Sequence, residues 1–248
     1  MAEDRTASEI PVLQLAGVRK TFGSFDAVAG IDIKIREGEF VTIVGPSEAG
    51  KAALLVIDVQ NTYLENRAPE WAPFCARMTG TVIPNIRRLI DAFWDRRLDV
   101  IFARIACLLP DGRDRSLSQR KPGWNNLLLP AEAHASQIVP ALAPRAEEIV
   151  LTKTTDSALT ETNLRLILTN LGLTHVICTG IFTDQCVSST VRSLADESFD
   201  VLLIDDATAA GTEALHEREL EVLNMIYCTV MTTGDLIGFL PGAGPESA

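Results

Sequence analysis

From residue 53 onward, apolar runs alternate with segments of helical periodicity. Continuous runs of the kind found in buried parallel strands occur at Leu54–Val59, Val100–Ala106, Ile149–Thr152, Val176–Thr179 and Val201–Ile204. A weaker run at Thr229–Met231 indicates a sixth strand. The spacing of these runs leaves room for a helix between most of them.

Four of the intervening segments carry apolar residues at the i, i+3, i+4, i+7 spacing of amphipathic helices. They lie at Val82–Phe93, Leu164–Leu171, Val187–Leu194 and Leu215–Ile226. Alternating β and α elements predict an α/β fold, with a doubly wound, mostly parallel six-stranded sheet and helices on both faces. Residues 107–147 are rich in Pro, Gly, Arg and Asp, so we expect an excursion over the functional site.

The first 52 residues have a different pattern, in which short alternating strands are broken by glycines. Their last part, GPSEAGKA, nearly matches the phosphate-binding motif G-x-x-x-x-G-K-S/T, but Ala52 replaces the Mg²⁺-binding hydroxyl. Residues 12–51 resemble the start of an ABC-transporter ATPase subunit, in which Phe22 would stack on adenine. No signature loop or Walker B strand follows in the sequence.

We therefore expect three parts. Residues 1–52 form a truncated, non-functional ATPase-like segment, residues 53–240 the main domain, and residues 241–248 a flexible tail. The alternative is an enzyme that residues 12–51 regulate by binding a nucleotide.

Composition narrows the classes of partner. The net charge is −11 without a dense Lys/Arg run, which argues against nucleic acids and anionic membranes as partners. No apolar stretch reaches the roughly 18 residues of a transmembrane helix, and the polar N-terminus lacks the apolar region of a signal peptide. The five cysteines are an odd number without a CxxC pair, as is typical of reduced thiols. We expect a cytoplasmic protein.

Three reactive side chains follow predicted strands. Asp58 ends the first strand, Lys153 ends the third, and Cys186 follows the fourth, where a helix is expected to begin. Ligands of such sheets bind beyond the carboxyl ends of the strands, so the three residues should share one edge. The N-terminus of a helix lowers the pKa of a thiol and supplies N–H groups to an oxyanion. Cys186 is therefore a candidate nucleophile.

Taken singly, each of these residues has a structural explanation. An Asp at a strand end is commonly a cap or turn residue, and a Lys there is usually solvated. A lone Cys is most often buried filler, as we expect for Cys107, Cys178 and Cys228. Their coincidence at one edge favours an active site.

A cysteine nucleophile also needs a proton acceptor. The three histidines fit badly, because His134 lies in the excursion, His175 opens its strand at the opposite edge, and His216 lies near the start of a late helix. Asp58 is the better-placed base, and Lys153 would offset charge during the reaction.

The segments VIDVQNTYL, KTTDSALTETNL and GIFTDQCVSSTVRSLADESFDVLLIDDATAA resemble the motifs of the isochorismatase-like cysteine hydrolases. The resemblance covers the main domain and implies an Asp–Lys–Cys triad at Asp58, Lys153 and Cys186. It also implies a cis peptide bond between Ile181 and Phe182, and an oxyanion hole formed by the N–H groups of Phe182 and Cys186. A homodimer or homotetramer is the assembly that it favours.

The resemblance further separates branches of that family. True isochorismatases cleave a vinyl ether and lack the cysteine, so Cys186 favours the amidase branch. Nicotinamidases carry an Asp-x-His metal motif after the second strand, where this sequence reads Arg104-Ile105-Ala106-Cys107, so we expect no metal and no cofactor.

The stretch TEALHERELEVLNMIYCTVMTTGDLI looks most like the ureide-degrading members. The resemblance thus implies cleavage of a C–N bond in biuret, triuret, ureidoacrylate or an N-carbamoyl compound, through a thioester intermediate. The alternatives are hydrolysis of another small carboxamide such as nicotinamide, and a non-catalytic binding protein.

Substrate contacts are expected from residues after the first and fourth strands and from the excursion. The candidates are Gln60, Asn61, Tyr63, Arg120, Trp124 and Phe182. Gln60 and Asn61 are equally well explained as caps, and Trp124 as a residue of a dimer interface.

Overall fold

The computed structural model describes residues 13–22, 25–35, 51–65, 68–121 and 128–240. The chain divides into two compact units, Met1–Ile43 and Val44–Ala248. In the first unit, β1 (Leu13–Phe22) and β2 (Phe25–Ile35) form an antiparallel pair. Asp32 Oδ1 accepts a 2.6 Å hydrogen bond from the N–H of Gly17 across this pair. The predicted tail at 241–248 lies outside the described residues.

The second unit is built on a parallel sheet. Within the described residues its six strands are ordered β5-β4-β3-β6-β7-β8. Their bounds are β3 Lys51–Ile57, β4 Asp99–Ile105, β5 Ile149–Lys153, β6 Leu173–Ile181, β7 Asp200–Ala209 and β8 Thr229–Met231. The doubly wound six-stranded sheet predicted from the sequence is confirmed, including the weak sixth strand at Thr229–Met231.

Helices cover both faces of the sheet. Their bounds are α1 Asn61–Leu64, α2 Ala72–Arg77, α3 Ile83–Asp95, α4 Leu117–Arg120, α5 Leu164–Asn170, α6 Ser188–Asp196, α7 Glu213–Ile226 and α8 Thr233–Phe239. None of these helices is long and apolar enough to cross a membrane.

Residues alternate in β3 between two buried apolar clusters, as the period of a strand requires. Leu54 and Val56 pack in the cluster that includes α3 and α8, whereas Leu55 and Ile57 pack with α5, α6 and α7. Because both faces of β3 are buried, this strand reads as a continuous apolar run.

The central strand begins three residues earlier than the predicted Leu54. Lys51 and Ala52, the end of the phosphate-loop-like motif, pair with β6 as part of β3. In a phosphate-binding loop these two positions begin a helix, so the described part of the motif has the wrong local structure for that role. Residues 45–50 of the motif lie outside the described residues.

Close approach of β3 and β6 brings the functional segments together. Gly180 has a φ of 109°, and a Cβ at this position would lie 2.0 Å from the carbonyl oxygen of Ile57. Asp58, the residue directly after β3, has a φ of 54°, a region that Asp tolerates better than most residues. Only glycine at 180 therefore allows the ends of these two strands to meet.

We predict that Gly180→Ala lowers the free energy of unfolding by about 4 kcal/mol or more, since both the clash and the positive φ oppose a side chain. Chemical denaturation measures this. Gly80→Ala is the matched control, because no atom lies within 4 Å of a Cβ there. Equal stability of the two variants would contradict the proposed constraint.

Candidate active site

Asp58 and Lys153 form a buried ion pair at the carboxyl edge of the sheet. Lys153 Nζ lies 2.7 Å from Asp58 Oδ2 and donates a second hydrogen bond, 3.1 Å long, to the carbonyl oxygen of Thr155. Both side chains are almost completely buried. Asp58 follows β3 and Lys153 ends β5, so the pair spans the intervening strand β4.

Cys186 lies in a helical turn, Thr183–Val187, that connects β6 to α6. The sequence placed the start of the helix at Cys186, whereas the helical backbone begins three residues earlier. A cis peptide bond joins Ile181 to Phe182 directly before this turn. The Cys186 thiol is buried and donates to Asp156 Oδ1 at 3.5 Å.

The electrostatic setting of the thiol differs from the expectation. Burial raises the pKa of Cys186 well above its ordinary value, and the Asp58 charge raises it further, while Lys153 acts in the opposite direction. The sequence predicted a lowered pKa from the helix N-terminus. That prediction is wrong, because burial and the charges of Asp58 and Asp156 raise the pKa of the thiol.

The surroundings of Asp58 affect both its hydrogen bonding and its pKa. Its Oδ1 is buried and has no hydrogen-bond partner of good geometry among the described residues. Burial raises the pKa of this carboxyl group, against the lowering effects of the Lys153 charge and of interaction with Cys186. Burial opposes the charge of Lys153, but the charges of Asp58 and Cys186 leave the pKa of Lys153 raised. The lysine thus stays cationic beside the carboxylate.

Asp156 is a second carboxylate at the thiol, and sequence reasoning missed it. Its Oδ1 accepts from Gln119 Nε2 at 2.5 Å as well as from Cys186, and its Oδ2 accepts from Ser118 Oγ at 3.1 Å. Position was the available signal, since Asp156 follows Lys153 by three residues in a loop that leaves the same sheet edge.

Phe182 belongs to an aromatic cluster beside the turn Thr183–Val187, which carries Cys186. Its ring lies 5.2 Å from those of Tyr63 and Phe74 and 6.1 Å from that of Trp71. Burial raises the pKa of Tyr63, and the nearby charges of Asp58, Cys186 and Asp156 add to this effect. Tyr63 and Phe182 are thus in contact near Cys186, with Trp71 and Phe74 beside them, and their contact with a substrate stays a prediction.

A small pocket lies at the end of β4, and Thr154, the residue after Lys153, contributes to its wall. Its lining consists of Tyr63, Ile105, Ala106, Cys107, Arg115, Gln119, Leu129 and Thr154. The side chain of Gln119 connects the pocket to Asp156. Of the two residues expected from the excursion, Arg120 is exposed on α4 next to the buried Gln119, and Trp124 lies outside the described residues.

Gln60 and Asn61 serve the framework of the site. The Gln60 amide donates to the carbonyl oxygens of Ile105 and Ser136 and accepts from the N–H of Ile105, and its side chain is fully buried. Asn61 Nδ2 donates to the carbonyl oxygen of His134. These bonds attach the segment after β3 to the excursion. Gln60 is therefore better explained as a structural residue than as a substrate contact, because both polar atoms of its side chain already form hydrogen bonds with the backbone.

His216 contacts the helical turn that carries Cys186. It is buried, with Nδ1 2.8 Å from Thr183 Oγ1 and Nε2 2.9 Å from Asp205 Oδ1. The other histidines have different partners, since His134 pairs with Glu65 and His175 with Asp200. The histidines thus bond to groups other than the thiol, which agrees with the choice of Asp58 as the base.

The second unit also matches a known protein family. A model of the isochorismatase domain matches residues 52–235. The chain belongs to the isochorismatase family. Members of this family are hydrolases, and several relatives act on amide or other C–N bonds according to their names.

One relative is the ureidoacrylate amidohydrolase RutB of Pantoea ananatis. It is 32% identical over 207 residues, which cover 76% of this chain and 83% of the relative. The chain is therefore similar along most of the length of a family member with a named amidohydrolase activity.

Solved structures of the family share the fold. An isochorismatase-like hydrolase from Alkaliphilus metalliredigens has a TM-score of 0.62 and 28% identity, and the match covers 76% of this chain and 98% of that one. The N-carbamoylsarcosine amidase of Thermoplasma acidophilum has a TM-score of 0.60 at 24% identity, with 74% and 96% coverage, and supports the fold alone.

We predict that iodoacetamide labels Cys186 slowly at neutral pH and about tenfold faster per pH unit into the alkaline range, because the raised pKa keeps the thiolate scarce. Peptide mass spectrometry follows the labelled fraction. Urea-unfolded protein is the reference, in which the thiol regains its ordinary pKa. A rate that levels off below pH 7 would contradict the raised pKa.

We also predict that Lys153→Met and Asp58→Asn each cost about 3–5 kcal/mol of unfolding free energy, because each leaves a buried group without its partner. The double variant should lose less than the sum of the two. Thermal and urea denaturation measure the cycle. Asp111→Asn, which removes one partner of the exposed Asp111–Arg113 pair, is the control. Additive losses would show that the two buried residues do not interact.

Proposed function

We propose that this protein is a cysteine amidohydrolase that cleaves a C–N bond of a small amide or ureido compound. The observation that carries the proposal is the buried Lys153–Asp58 pair, whose Asp58 carboxylate also interacts with the Cys186 thiol. This arrangement supplies a nucleophile, a proton acceptor and a fixed cation in one desolvated site. Similarity to a ureidoacrylate amidohydrolase supports the substrate class.

The reaction starts with proton transfer from the Cys186 thiol to Asp58. The thiolate then attacks the carbonyl carbon, and the backbone N–H groups of Phe182 and Cys186 stabilise the oxyanion. Asp58 returns the proton to the leaving nitrogen as the C–N bond breaks, which releases ammonia or an amine and leaves a thioester on Cys186. Water, deprotonated by Asp58, then cleaves the thioester and restores the thiol.

Lys153 acts on charge rather than as a nucleophile. Its ammonium is held by Asp58 Oδ2 and the carbonyl oxygen of Thr155, so it stays fixed near the thiol. When the thiol loses its proton, this cation offsets the negative charge that the desolvated site gains. The raised pKa of Cys186 then means that the thiolate forms mainly during turnover.

The surroundings favour a small, polar substrate. The pocket at the end of β4 combines apolar residues with the side chains of Tyr63 and Gln119. Biuret, triuret, ureidoacrylate and N-carbamoyl compounds are small and carry amide N–H donors. We propose further that the enzyme works without a metal or cofactor and as a homo-oligomer.

The decisive experiment measures ammonia release from a panel of amides and ureides that includes nicotinamide. Cys186→Ala should lower kcat on the best substrate by about a thousandfold or more, because no other group can form the covalent intermediate. Cys228→Ala, which removes a half-buried thiol before β8, should keep activity.

A stalled acyl-enzyme gives an independent measurement. Rapid acid quenching during turnover should show a mass increase on the peptide that contains Cys186. Full activity of Cys186→Ala would disprove the mechanism. Lack of activity on the entire panel, together with tight ligand binding, would instead favour the non-catalytic binding protein.

A further inference from the structure

Asp156 occupies a position that the triad chemistry does not require. Its carboxylate is half-buried, and its Oδ1 lies 3.5 Å from Cys186 Sγ. The proton of the thiol already has an acceptor in Asp58. A second carboxylate at this distance raises the pKa of both Asp58 and Cys186, which by itself disfavours the thiolate.

The carboxylate is held in place by donors from the excursion. Gln119 is buried and bonds to Oδ1 at 2.5 Å, while Ser118 bonds to Oδ2 at 3.1 Å. Among the described residues, the hydrogen-bond partners of Asp156 are thus an amide, a hydroxyl and the thiol, none of them a cation. Its negative charge is therefore left available to a ligand at the nucleophile.

Thiolate formation changes the hydrogen bonding of Asp156. In the resting site the thiol donates to Oδ1, but once the proton has moved to Asp58 this donor is lost. A thiolate and a carboxylate then face each other at about the same separation in a poorly solvated site, which is unfavourable. A substrate that presents an N–H at this point replaces the lost donor and separates the two charges.

We propose that Asp156 is a specificity-determining residue that accepts a hydrogen bond from an N–H attached to the carbonyl under attack. This inference rests on the proposed function. One nitrogen of the substrate departs with the proton of Asp58, so the group left on the carbonyl faces Asp156. In a ureide that group is a second N–H, whereas in an ordinary carboxamide it is carbon. The site therefore selects ureides over carboxamides of the same shape.

Matched substrate pairs test the selection. Biuret and malonamide differ by one NH in place of CH₂ beside the carbonyl, as do N-carbamoylglycine and succinamate. The quantity to compare is the ratio of kcat/KM for the ureide to kcat/KM for its carbon analogue, in wild type and in Asp156→Asn. This ratio cancels any general loss of activity and the intrinsic reactivity of each compound.

For the pair that the wild type hydrolyses best, the ratio should fall by about 10- to 100-fold in Asp156→Asn, the range for a hydrogen bond to a charged group. Asp111→Asn is the matched control, because this exposed carboxylate of the same excursion pairs with Arg113 instead. Its ratio should equal that of wild type. Circular dichroism verifies that both variants are folded.

Two results would overturn the inference. One is an unchanged ratio in Asp156→Asn, including the case in which both rates fall equally, as a purely structural brace would cause. The other result needs only the wild type. If the wild type hydrolyses malonamide or nicotinamide better than every ureide, the site does not select substrates by the N–H attached to the carbonyl. In that second case Cys186-dependent amidohydrolysis still stands, whereas activity on no amide at all would refute the proposed function itself.

Discussion

The buried ion pair between Lys153 and Asp58 organises this active site. The two residues belong to strands separated by β4, hence by about 10 Å at the usual strand spacing, and the long lysine side chain closes that distance. Two desolvated charges are tolerable only when their geometry is good and their remaining polar atoms are satisfied. Lys153 meets this condition by a hydrogen bond to the carbonyl oxygen of Thr155. Asp58 Oδ1, in contrast, has no hydrogen-bond partner among the described residues.

The position of this ion pair relative to Cys186 depends on the backbone conformation around it. The backbone of Asp58 turns at a positive φ directly after β3. This turn directs its carboxylate toward Lys153 and toward the Cys186 thiol. Gly180 lets β6 pass against Ile57 without a side chain between them, which sets the position of the turn that carries Cys186. His216 then braces Thr183 within this turn. The relative positions of Asp58, Lys153 and Cys186 therefore depend on a glycine, on an aspartate at positive φ and on a buried histidine.

The surroundings of Cys186 favour the protonated thiol. Burial and two carboxylates raise the pKa of Cys186, and a single ammonium opposes them. In such a setting, a bound substrate that supplies N–H donors contributes to the charge balance as well as to binding. Sequence reasoning anticipated a thiolate stabilised by a helix dipole, because it included neither the burial of the thiol nor the charge of Asp156.

The sequence by itself determined the alternation of strands and helices, the parallel sheet, and the placement of Asp58, Lys153 and Cys186 after strands that end at one edge. These follow from apolar periodicity and from the rule that parallel strands present their carboxyl ends together. Only the tertiary structure decided which residues of the loops face the site. Gln119 rather than Arg120 points inward, and Asp156 reaches the thiol. Gln60 instead forms its hydrogen bonds with the backbone. Neither loop path nor desolvation has a local sequence signature, because both are set by what the rest of the chain packs around a side chain.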